Sequence, residues 1–166
     1  MKTRLSPATL SLCVGVVIAT AGTAAAQDVN ADLAALRSAT ASYHALDSAM
    51  AAGWDEDITG CLSSAEGGMG FHYMNAGELF DGGQLDPLRP EILVYAPDAT
   101  GKKRLVAVEY LILGTDLPPT ATPPEMYGEQ FHYNAGFGVW ALHAWVWKHN
   151  PEGIFADWNP KVSCTP

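Results

Sequence analysis

Cys61 and Cys164 are the two cysteines that remain once an N-terminal leader is set aside, and a bridge between them would tie the last residues of the chain to its middle. Lys2 and Arg4 supply a basic start, and residues 10–21 are apolar and uncharged, too short to cross a bilayer and act as an anchor. Ala24, Ala25 and Ala26 provide small residues for cleavage before Gln27. Cys13 is not a lipid-attachment site, because Leu12 stands where a small residue is needed and the apolar run continues past it. The sequence therefore predicts a cleaved signal peptide over residues 1–26 and one domain over 27–166, exported to the periplasm or secreted, with no membrane anchor after cleavage. In such an oxidising compartment two thiols pair. A loop of about 100 residues closed this way is worth roughly 4–5 kcal/mol in the chain-entropy view.

The chain is acidic, with 18 Asp+Glu against 9 Lys+Arg and a formal net charge of −9. That field repels phosphate backbones and excludes nucleic acid as a partner. No P-loop, dinucleotide-binding glycine pattern or GxSxG elbow is present. The acidic runs at 55–57 and 78–86 match no EF-hand loop.

Asp28 or Asn30 can cap a helix that starts near Ala31. Leu33, Leu36, Tyr43, Leu46 and Met50 recur at helical steps among alanines, and Gly53 ends the run, which predicts one helix over 31–52. Residues 54–70 read as an acidic, glycine-rich loop. Strands are expected over 71–74, 91–96 and 104–113, the last two joined as a hairpin by Asp98 and Gly101. Four prolines make 114–130 an extended loop. Residues 139–148 fit strand or helix, and their Trp/Val density favours a strand. The expected architecture is α+β: an N-terminal helix packed on an antiparallel sheet, or partly closed barrel, of about five strands with one disulfide.

Two triplets, Phe71-His72-Tyr73 and Phe131-His132-Tyr133, place a histidine opposite two aromatics when extended. Glu109 interrupts an apolar row of Leu105, Ala107, Leu111 and Leu113, which is costly unless the carboxyl finds a partner. Beyond the leader, Arg37 and Arg89 are the arginines outside the hairpin turn, so histidines or a metal ion are the alternatives. His143 shares a strand face with Trp145 and Trp147. His72, Glu109, His132 and His143 thus form a candidate metal-ligand set, suited to Zn, Fe, Mn or Cu. Glu109 doubles as the candidate catalytic base, and Tyr110 and Trp145 are candidate ligand-binding aromatics. Without metal, a histidine beside Glu109 would make an acid–base pair, which Tyr43-His44 could join.

The segments Gly67-Gly68-Met69-Gly70-Phe71-His72-Tyr73, Val108-Glu109-Tyr110, Leu142-His143-Ala144-Trp145-Val146-Trp147 and Asn150-Pro151 through Cys164 resemble a family of small exported bacterial proteins to which no activity is attached. The resemblance implies export and a single domain and assigns no catalytic residue. The residues themselves point to a polar His/Glu pocket that binds or acts on a small molecule. The alternative is a non-catalytic ligand-binding or structural envelope protein whose histidines are satisfied in the core.

Overall fold

The structure is a computed structural model that describes residues 22–165. The basic start and apolar stretch of the expected leader lie outside the described residues. The chain is α+β, with a curled antiparallel six-stranded half-barrel, a few helices and one disulfide.

Helix α1 (Gly22–Thr40) begins earlier than the capping residues suggested, in keeping with the helix-forming alanines at 24–26. It also ends earlier. A 3-10 turn (Ala41–His44) follows, Ala45 is extended, and α2 (Leu46–Ala51) completes the segment. The single helix over 31–52 is therefore broken, and the cause is tertiary. The Thr40 hydroxyl donates back to the Leu36 carbonyl and accepts from the Trp147 indole, while the Tyr43 carbonyl accepts from Tyr95. Leu33 and Leu36 are buried against the sheet. Each such side chain contributes about 1.5–3 kcal/mol.

Strands β1 (Trp54–Ser64), β2 (Gly67–Asn75), β3 (Ile92–Pro97) and β4 (Lys103–Leu113) form a meander. A short helix, α3 (Ala76–Leu79), lies between β2 and β3. The small strands β5 (Glu125–Met126) and β6 (Glu129–Gln130) make a separate hairpin inside the segment read as an extended loop. Strands β7 (His132–Asn134) and β8 (Val139–Ala144) complete the sheet, in the order β1-β2-β3-β4-β8-β7. Six strands replace the expected five because residues 54–64, read as loop, are a strand. Their charge is that of a sheet edge, where acidic side chains are tolerated and discourage further pairing. Three register shifts against β2 hide any alternation.

Leu105 leaves the predicted row of Glu109 for the helix side, because the register slips between Val94, which faces Ala107, and Tyr95, which faces Leu105. The 139–148 segment is a strand only to Ala144. Trp145 then packs on the face opposite α1 and α2, while the Trp147 indole bonds Thr40 on the α1 side.

Cys61 and Cys164 are bonded, with Cα atoms 5.7 Å apart across 103 residues. The bridge fits an oxidising setting outside the cytoplasm. No helix among the described residues is long and apolar enough to cross a membrane. The C-terminal tail also docks on Gly67-Gly68, whose backbone pairs with Asn159. A Cβ on Gly67, at φ 133°, would stand 2.4 Å from the Asn159 carbonyl oxygen. Gly67 and Gly68 thus serve tail docking, whereas a Cβ on Gly70 would stand 2.3 Å from the Tyr95 carbonyl oxygen on β3.

Candidate metal centre

One face of the sheet carries Leu93, Tyr95, Val108, Tyr110 and Leu142 towards the helices. The other carries Ile92, Val94, Ala107, Leu111 and Ala141, and among these apolar residues stand His72, Glu109 and His143. Alternation puts them there: Phe71 and Tyr73 pack on the helix side, so His72 between them points away. Glu109 on β4 lies directly opposite His143 on β8. His72 belongs to β2, two strands from Glu109, and leans across β3 to reach it. The curl of the sheet makes that approach possible.

Glu109 Oε2 lies 3.7 Å from His72 Nε2, and Oε1 lies 3.5 Å from His143 Nδ1. Both distances exceed a direct hydrogen bond of about 2.7–3.2 Å. Two donors each ~2.0–2.1 Å from a tetrahedral ion stand roughly 3.3–3.4 Å apart, so the spacing suits a shared cation. One ligand atom from each of the three residues lies within 4.8 Å of the other two. All three residues are buried.

The proton inventory of the metal-free site follows from that burial. Desolvation lowers the His72 pKa to about 4, against a partial offset from Asp57 and a backbone hydrogen bond at Gly70. Desolvation, with the nearby His72 and His132, holds His143 well below the ordinary histidine value. Desolvation also raises Glu109 to about 8, with Asp157 and Glu91 adding to the rise. At neutral pH the site therefore holds two neutral imidazoles and a protonated carboxyl, and no ion pairs.

The tautomer of His72 can be read from its neighbour. The Thr59 hydroxyl donates its one proton to the Gly60 carbonyl at 2.8 Å, so it accepts at His72 Nδ1, 3.0 Å away. Nδ1 carries the ring hydrogen, and the Nε2 lone pair faces Glu109. Such a bond to the distal nitrogen is how metal-binding imidazoles are held. Among the described residues His143 has no hydrogen-bond partner on either ring nitrogen although both are buried. An orphaned buried pair of this kind costs several kcal/mol unless something occupies the space between the groups.

The fourth predicted ligand stands apart. His132 is on the edge strand with a side chain 46% exposed, outside the three-residue group, and its Nε2 lies 3.6 Å from Asp157 Oδ2. The other Asp157 oxygen lies 3.8 Å from His143 Nδ1, so the carboxylate links the buried centre to the rim. The strand carrying His132 has only three residues, which keeps the ring at the open end of the sheet. Neither arginine reaches Glu109: Arg37 donates to the Val146 carbonyl and Arg89 pairs with Glu78.

The two candidate ligand-binding aromatics are placed as packing residues. Tyr110 points to the helix side, buried, with its hydroxyl bonded to the Pro87 carbonyl and Tyr127. Trp145 is buried with its indole on the Ala156 carbonyl and its ring stacked on His143, centroids 6.3 Å apart. His44 sits edge-on to Trp147 on the helix side, away from Glu109.

Three participants escaped the sequence. Asp157 comes from an irregular tail with no periodicity to place it. Glu91 is 1% exposed, lies just before β3, and takes the Leu111 amide where β4 runs past the end of its neighbour. A cavity of about 340 Å³ opens on His72 and Glu109, walled by Ile58, Leu62, Leu111, Phe137 and Val139. Comparisons with models of protein families, with curated proteins and with solved structures each return no match.

Proposed function

We propose that the protein binds one divalent transition metal on His72, Glu109 and His143 and presents it to a small molecule in the adjoining cavity. The observation that carries this reading is the His143–Glu109–His72 spacing, combined with a buried His143 Nδ1 that faces Glu109 and has no hydrogen-bond partner among the described residues. Two imidazoles and a carboxylate suit Zn, Fe, Mn or Cu, and Cys61 and Cys164, already bonded to each other, offer no thiolate. Three protein ligands leave further positions open, the arrangement of catalytic rather than purely structural sites. A metal there would polarise a bound oxygen or activate water, with Glu109 as ligand.

Export from the cytoplasm belongs to the same reading, supported by the basic start and apolar run of the N-terminus and by the disulfide. Metal binding without turnover is the second reading, favoured by the apolar walls of the cavity. Metal content of the purified chain after reconstitution tests the proposal. One equivalent per chain is expected, lost in His143→Ala and retained in His132→Ala; loss of metal in neither variant, or no uptake by the parent, would refute it.

A further inference from the structure

The walls of the cavity say what kind of molecule it takes. Ile58, Leu62, Leu79, Leu111, Phe137 and Val139 surround its space, and among the described residues no lysine or arginine lines it. Its polar groups are few: His72 and Glu109 at one end, Thr59, whose hydroxyl is already bonded to Gly60 and His72, Asn134, whose carboxamide oxygen takes the Gly136 amide, and the neutral indole of Trp158. An anionic ligand would therefore have no side-chain cation to meet it. Nor would a divalent ion supply surplus charge, because Glu109 and the neighbouring Asp157 together balance it. Trp158 forms a wall of this cavity and also of a second cleft lined by Glu66, Glu152 and Asp157, so the surroundings are acidic too. At about 340 Å³ the space is near the small end of ligand sites, which run from roughly 300 to 1,000 Å³. Phe137, 63% exposed, stands at the wall with its ring open to solvent.

We infer that the cavity selects a small uncharged molecule with an apolar body and a single oxygen or nitrogen donor, the body lying against Leu111, Val139 and Phe137 and the donor directed at the His72/Glu109 end. This inference rests on the metal reading for the role of the donor and on the cavity walls alone for the body and the charge.

Three probes test it on the full chain loaded with Co(II), whose visible spectrum reports a new donor: imidazole, 4-phenylimidazole and benzoate, titrated at pH 8. The expected order has 4-phenylimidazole binding on the order of tenfold or more tighter than imidazole, the gain coming from burial of the ring. Benzoate is expected to bind more weakly than 4-phenylimidazole. Val139→Phe and, separately, Ala141→Leu fill the space, and in each the ring's advantage should shrink while imidazole affinity persists. Equal affinity for the two imidazoles, or tighter binding of benzoate, would overturn the inference. If the chain takes up no Co(II), the metal reading falls by itself. The same probes are then compared by thermal shift on the metal-free chain, where 4-phenylimidazole must still raise the melting temperature more than imidazole or benzoate, and must lose that effect in Val139→Phe.

Discussion

Metal binding at this centre should expel close to one proton at neutral pH, and that proton should come from Glu109. The perturbation is addition of Zn(II) to the metal-free chain. With His72 lowered to about 4 and His143 also held well below its ordinary value, both imidazoles are already neutral at pH 7. With Glu109 raised to about 8, its carboxyl is still protonated there and must lose its proton before it can coordinate. At pH 7 a group of pKa about 8 is roughly 0.9 protonated, so about 0.9 proton is released per metal. The apparent affinity should rise about tenfold per pH unit from 5 to 8, about 1.4 kcal/mol each, and level off above. A site with ordinary side chains behaves otherwise. Its glutamate is ionised throughout, its histidines near 6.5 release up to two protons in acid, and above pH 7 its affinity is flat. Calorimetry at pH 7 in buffers of different ionisation enthalpy counts the protons directly. Release of none, or affinity that does not change between pH 7 and 8, would refute the reasoning; in Glu109→Gln any residual binding should be free of proton release.

Glu91 makes a parallel case for stability. Its folded-state pKa is raised to about 8 by burial, so the folded chain keeps a proton that the unfolded chain gives up above about pH 4.5. Stability from this group is full below that point and is lost as pH rises through 8. Relative to the parent, Glu91→Gln should gain about 2–4 kcal/mol in urea unfolding between pH 5 and 8, and a pH-independent difference would exclude it. Replacing Cys61 and Cys164 by serine should cost a few kcal/mol, up to about 4–5 for a loop of this size, seen as a lowered denaturation midpoint; an unchanged midpoint would show that the bridge constrains little. Gly67→Ala drives a methyl into the Asn159 carbonyl, so thermal unfolding should report a loss of at least ~2 kcal/mol, and a neutral effect would mean that the tail does not dock as described.

The parts of this protein that were legible in its sequence are those fixed by local periodicity or by a short turn. The β3–β4 hairpin, with Asp98 and Gly101 at its tip, stands where its two β-type runs and the turn residues between them placed it. The Phe-His-Tyr triplets each turn their histidine away from the aromatics, and a carboxyl buried in an apolar row did find imidazoles. The disulfide follows from counting thiols. What failed was decided by tertiary contact. Thr40 and Tyr43 are recruited by the sheet, so the helix breaks where its sequence is still helical. Strand β1 sits at an edge with three register shifts, so Asp55, Glu56 and Asp57 look like loop. His132 obeys the same alternation as His72, but it stands on an exposed edge strand opposite Ala141, two residues along β8 from His143, and spacing along the chain carries no information about such a register. Asp157 lies in irregular backbone, where nothing in the sequence predicts direction.

X-ray absorption at the zinc edge of the reconstituted chain tests the central claim most directly. The account predicts two imidazole nitrogens and oxygen ligands at about 2.0–2.1 Å, with one imidazole lost in His72→Ala. A shell of oxygens alone, or a third imidazole that disappears in His132→Ala, would contradict it.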